Sequence, residues 1–269
     1  MSDTSSIVGG LVDYLRYQKE CGLHTLELDP ASLATLAGLK SAATAPPAAA
    51  PAPAPEPSPP RVAPPRAAAL PAGKPAAALE RTAAAVAACR RCGLHAGRTQ
   101  VVPGQGNPVT PDILFIGEAP GADEDRQGLA FVGRAGQLLT KMIIAMGYAR
   151  EDVFIANICK CRPPDNRPPT PDEMAACLPF LKEQIRILRP RTIVAMGNTA
   201  ILGLLGQAGI SRLRGIWTTF EGIPLMPTYH PAYLLRFPTV KRDAWNDLKK
   251  VLKHLGRPVP APAPKAKPD

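Results

Sequence analysis

The chain has 269 residues, a formal net charge of +10, ordinary apolar content, few aromatics and 33 prolines. It opens MSDTSS, without the basic start and apolar run of a secretory signal, and holds no stretch near the ~20 apolar residues of a membrane span. The expected protein has no membrane association and is cytoplasmic, where its six cysteines are more readily free, metal-bound or catalytic than disulfide-linked; its basic excess suits solubility or a phosphate-bearing partner.

Residues 1–40 read as an amino-terminal amphipathic helical segment, with Ile7, Leu11 and Leu15 at helical spacing and Tyr14 and Tyr17 beside them. It is either a loosely docked terminal helix or a partner-binding helix on a tether. Residues 41–76 are nearly all Ala and Pro. Such a stretch has little to bury and lacks backbone donors, so it is expected to be a disordered, polyproline-like linker. A folded domain follows over residues 77–257, about 180 residues and enough for one core. Residues 258–269 are again Pro/Ala-rich and read as a disordered tail.

Within the domain an Ala-rich helix is predicted over 79–88. Four apolar runs of strand length follow, at 113–116, 153–158, 192–196 and 223–227, with helical stretches at 136–146, 172–188 and 198–205 after the first three. Strands alternating with helices predict an α/β fold, a three-layer sandwich around a central four-stranded, mostly parallel sheet. A last helix spans 240–255. In such sheets ligands bind at the carboxyl ends of the strands.

Four cysteines form one candidate metal site. Cys89 and Cys92 are a C-x-x-C pair after the Ala-rich helix, and Cys161 and Cys177 flank a loop crowded with prolines. Four thiolates suit a 4Fe–4S cluster or a structural zinc ion, and spacing alone leaves the two equally open. Cys159, two residues before Cys161, would point the same way in an extended strand and could compete as a ligand.

The candidate pocket residues fall at strand ends. The run Gly117-Glu118-Ala119-Pro120-Gly121 follows the first strand; its glycines let backbone approach a ligand closely, and Glu118 could hold a water or an N–H group, or be a solvated surface carboxylate. Phe131, in a segment bounded by Gly128 and Gly133, could stack on a planar base or belong to the core. Asn157 could present a donor and an acceptor side by side to a pyrimidine edge, or simply cap a turn. His230, followed by Pro231, Ala232 and Tyr233, could donate to a developing oxyanion. Leu234, Leu235 and Arg236 could reach DNA as an apolar wedge with a phosphate anchor.

In their order and joint occurrence these motifs resemble those of the family-4, iron–sulfur uracil-DNA glycosylases. The resemblance runs from Cys89-Arg90-Arg91-Cys92 through Gly117–Gly121 with Glu124, the stretch 128–139, Asn157 to Arg167 and Cys177, to His230-Pro231-Ala232-Tyr233-Leu234-Leu235-Arg236. It implies a 4Fe–4S cluster on Cys89, Cys92, Cys161 and Cys177. It further implies uracil held by Asn157 and by backbone at Gly117, Ala119 and Gly121, stacked on Phe131, with Glu118 and His230 catalytic. Related glycosylases carry a water-activating aspartate where this chain has Ala119, as the family-4 pattern does. A sister clade that becomes attached to DNA has a basic, histidine-containing insert, where this chain reads Ala122-Asp123-Glu124-Asp125-Arg126-Gln127. The expected activity is base release from single- or double-stranded DNA by a monomer, its amino-terminal segment free to contact a repair or replication protein. The alternative is an inactive DNA-binding or polymerase-associated module of the same fold.

Overall fold

The computed structural model describes residues 74–260. The amino-terminal amphipathic segment, nearly all of the Ala/Pro linker and most of the tail lie outside the described residues. Helix α1 (Lys74–Ala87) leads in. Among the described residues six strands then form one sheet in the order β1-β3-β2-β4-β6-β5. These are β1 (Gln105–Gly106), β2 (Ile113–Gly117), β3 (Phe154–Asn157), β4 (Thr192–Met196), β5 (Thr218–Phe220) and β6 (Ile223–Thr228). The four inner strands β3, β2, β4 and β6 are parallel; β1 and β5 pair antiparallel on the two edges.

The inner strands are the four predicted. The edge strands extend the expected four-stranded sheet, and at two and three residues they are too short to show a period-2 pattern.

Every residue of β2, β3 and β4 is buried, as a parallel sheet covered on both faces requires. Alternate side chains divide between two cores. Ile113 and Phe115 join Leu139 and Ile143 of α3 (Arg134–Ala145) and Leu248, Val251 and Leu252 of α8 (Lys241–Leu255). Leu114 and Ile116 join Leu181 and Ile185 of α4 (Pro171–Leu188) and Ala200 and Ile201 of α5 (Asn198–Leu205). Each fully buried Phe, Ile or Leu here stabilises the fold by about 1.5–3 kcal/mol. The layers are therefore helix, sheet, helix. Three short α-helices complete the set among the described residues, α2 (Ala122–Gln127), α6 (Ile210–Leu213) and α7 (Pro231–Arg236).

Two polar devices set the sheet ends. Asp247 of α8, 1 % exposed, accepts from Thr228 Oγ1 at 2.8 Å and from Arg214 Nη2 at 2.7 Å and Nε at 3.1 Å. The end of β6 is thereby fixed to α8. Thr170 caps α4 in a reciprocal box with Glu173, and Glu173 also takes a two-pronged bond from Arg167 at 2.8 and 2.7 Å. This anchors the proline-rich loop one turn before Cys177.

Candidate active site and cysteine cleft

The parallel strands end at one edge, and the turns there bring distant residues together. At Gly117, the last residue of β2, a Cβ would lie 2.4 Å from Phe131 Cζ and 2.6 Å from Asn157 Oδ1. Only glycine lets these two side chains close over the strand end. The Phe131 and His230 ring centroids are 5.6 Å apart, tilted by 37°. Glu118 follows Gly117 directly, and its Oε2 accepts from Thr199 Oγ1, at the start of α5, across 2.5 Å. Glu118, Phe131, Asn157 and His230 thus gather at the carboxyl edge of the sheet.

Phe131 stands there against a backbone cost, with φ 52°, a region that bulky residues rarely enter. Its carbonyl oxygen sits 1.8 Å from where a Cβ on Gly136 would be, so α3 must carry glycine there. Arg150 donates to the Ala130 and Phe131 carbonyls at 2.6 and 3.0 Å and to Thr140 Oγ1 at 2.8 Å. From the other side Glu124 accepts the amides of Val132 at 2.8 Å, Gly133 at 2.9 Å and Gly121 at 3.1 Å.

The electrostatics differ from group to group. Burial pushes the Glu118 carboxyl up, opposed by the Thr199 hydroxyl and the Arg236 charge. Burial, assisted by the Arg236 charge, pushes His230 down to about 4, so its imidazole is neutral at pH 7. Its Nδ1 accepts from the Ala232 amide at 3.2 Å, which leaves the ring proton on Nε2. Asn157 is 1 % exposed, and its Oδ1 is buried without a hydrogen-bond partner.

Other expectations need correction. Leu234 is 2 % exposed and packs in the core, because α7 turns it inward; a wedge on this helix cannot include it, while Leu235 is half-buried and Arg236 exposed. The Gly121 amide is already engaged by Glu124 and is not available to a ligand. Ala119 is partly buried and packs on the core. The sequence reading missed Thr199, Arg150 and the threefold role of Glu124, since each depends on a contact across the fold.

The four cysteines Cys89, Cys92, Cys161 and Cys177 line one cleft between the end of α1, the end of β3 and α4. Three sulfurs accept hydrogen bonds, Cys177 from the Lys160 amide at 3.2 Å, Cys161 from Arg98 Nη1 at 3.2 Å and Cys89 from the Arg91 amide at 3.5 Å. Arg98 also donates to the Cys89 and Ala87 carbonyls, tying the end of α1 to the loop. Among the described residues no three of His, Cys, Asp or Glu converge closely enough to hold a single metal ion. Cys159 is fully buried and does not line the cleft. Its thiol donates toward Cys177, which holds Cys177 low and Cys159 high. No helix among the described residues is long and apolar enough to cross a membrane.

The sequence model of the Uracil DNA glycosylase superfamily matches residues 103–249. The chain is 48 % identical over 169 residues to a Type-4 uracil-DNA glycosylase of Thermotoga maritima, covering 61 % of this chain and 83 % of that protein. It is 42 % identical over 184 residues to one of Archaeoglobus fulgidus, covering 65 % and 92 %. A Type-5 uracil-DNA glycosylase of Pyrobaculum aerophilum is more distant, at 32 % over 153 residues, covering 48 % and 67 %.

Proposed function

The chain belongs to the uracil DNA glycosylase superfamily, and from that membership we propose that it hydrolyses the N-glycosidic bond of uracil in DNA, releasing the base without cutting the strand. One observation carries the reading. The Asn157 Oδ1 atom is buried and unpaired, and it and the Phe131 ring edge both close on Gly117. Leaving such an acceptor unmet costs about 1–3 kcal/mol, and a pyrimidine with a ring N–H next to a carbonyl satisfies it. The Asn157 amide then reads the edge of uracil while Phe131 stacks on its face. A duplex base reaches this edge only by rotating out of the stack.

Bond breaking leaves the sugar cation-like and the base anion-like. His230, neutral and with its proton on Nε2, donates to the developing pyrimidine oxyanion. Glu118, when ionised, stabilises the sugar cation and orients the attacking water. Arg236 lies close enough to act electrostatically on both; exposed on α7 with half-buried Leu235, it is suited to a DNA phosphate. Lys160 has its ammonium committed to Asn157 O and Gln184 Oε1 and is fully buried, so it is not an accessible Schiff-base nucleophile. That supports base release alone.

Cys89, Cys92, Cys161 and Cys177 would hold a 4Fe–4S cluster. Four cysteine sulfurs lining one cleft are the donor set such a cluster takes. N–H···S bonds to three of them also suit thiolate ligands. When bound, the cluster would supply cross-linking of α1, the β3 end and α4, and the bond-breaking step needs nothing from it. We further propose that the chain works as a monomer, with the segment before residue 74 as an appendage. The test is incubation of the full chain with an oligonucleotide carrying one uracil, followed by alkali. Alkali-sensitive sites at the uracil, with no cleavage before alkali, support the proposal; an oligonucleotide that stays alkali-resistant refutes it.

A further inference from the structure

Lys160 has no part in the chemistry above, yet it is fully buried. Its Nζ donates to the Asn157 carbonyl at 2.9 Å and to Gln184 Oε1 at 2.7 Å, and Gln184 Nε2 in turn donates to the Pro103 carbonyl at 2.6 Å. Its own amide donates to Cys177 Sγ at 3.2 Å, and its carbonyl accepts from Val102 at 2.8 Å. Among the described residues no carboxylate pairs with it; the Cys177 sulfur, which accepts from its own amide, stands near, with the Cys159 thiol beside it. A buried ammonium is tolerated only where its hydrogen bonds are met and negative charge stands near. One residue therefore has its backbone fixed to a cleft cysteine and its side chain fixed to the peptide of Asn157.

That peptide matters because the Asn157 Oδ1 has no partner of its own. The direction of the amide is set by the backbone that carries it. We propose that Lys160, held by Gln184, is a positioning residue that fixes the peptide carrying the Asn157 amide, and with it how well the base is bound. The inference rests on the assignment of Asn157 to the base. Lys160 fixes the floor from which that side chain projects, and loosening it weakens base binding before it slows bond breaking.

The experiment uses Gln184→Met, which deletes the acceptor for Lys160, and Gln184→Glu, which keeps that acceptor, adds a negative charge beside the ammonium and replaces the donor to the Pro103 carbonyl with an acceptor. Each full-length variant is compared with wild type for iron per chain, for inhibition by free uracil, and for KM and kcat on a uracil oligonucleotide. Gln184→Met is expected to weaken free-uracil binding and raise KM by roughly ten-fold, with kcat and iron content near wild type; Gln184→Glu is expected to restore binding. Equal binding in all three proteins overturns the inference, as does equal weakening in both variants. Weakening seen only in preparations that have lost iron also overturns it. A wild type that neither binds uracil nor releases it contradicts the glycosylase reading instead.

Discussion

The Thr199 hydroxyl, at the start of α5, donates to Glu118 Oε2, just past the end of β2, across 2.5 Å. The bond joins the turns after two neighbouring parallel strands and gives the proposed catalytic carboxylate one fixed donor. Burial alone would keep Glu118 protonated over a wider range; Thr199 and then Arg236 pull it back toward the charged form.

The pH dependence follows from these two opposed shifts. Glu118 acts when ionised, and its pKa is raised, so activity falls with decreasing pH earlier than an ordinary carboxylate would dictate. His230, pushed down to about 4, stays neutral through that fall. The acid limb of single-turnover kcat is therefore expected to belong to Glu118. Thr199→Val should move the limb to higher pH by removing a group that lowers the Glu118 pKa. An unchanged limb in Thr199→Val would contradict the assignment.

Gly117→Ala should displace Phe131 and Asn157. Its methyl would meet Phe131 Cζ at 2.4 Å and Asn157 Oδ1 at 2.6 Å, closer than either can yield without moving. We expect kcat/KM to drop by a factor on the order of 100 or more, while circular dichroism and iron content hold. Near-normal turnover would mean that the base does not sit over this strand end.

Asp247→Ala tests what holds the β6 end. It removes a buried acceptor from Thr228 and both bonds from Arg214, and breaking a buried pair on one side costs about 3–5 kcal/mol. Arg214 retains some exposure, 20 %, so the loss should fall toward the lower figure. Urea unfolding of the iron-loaded protein measures it; a change under ~0.5 kcal/mol would show the pair to be dispensable.

Removal of the proposed cluster should loosen α1 from α4. Cys177→Ala is expected to abolish the brown absorption and lower Tm, with α1 exposed to proteolysis before the sheet. Arg98→Met, which loses the bond to Cys161 Sγ and the links to Cys89 and Ala87, should give a smaller loss of iron. Full iron content in Cys177→Ala would remove that residue from the ligand set.

The parts of this fold legible in the sequence are those that repeat locally. The runs that became β2, β3, β4 and β6 are long enough, and buried enough on both faces, to stand out, and α4 carries its own cap in Thr170. Edge strands β1 and β5 and short helices α2, α6 and α7 have no room for a period. Within the site, Gly117, Glu118, Phe131, Asn157 and His230 could be marked because each stands in a turn of unusual composition. Thr199, Arg150 and Lys160 could not, because nothing around them distinguishes a hydroxyl, guanidinium or ammonium that finds its acceptor across the fold. Leu234 stood in a motif read as able to reach DNA, but only packing decides which side of the short helix α7 faces inward.

The central claim is that Asn157, which closes on Gly117 together with Phe131, reads a flipped uracil. Single-turnover release of uracil from a single-stranded oligonucleotide, by wild type and by Asn157→Ala with equal iron content, tests it most directly. The account expects brisk release by wild type and a fall on the order of 100-fold or more in kcat/KM for the variant. Equal release by the two proteins would contradict it.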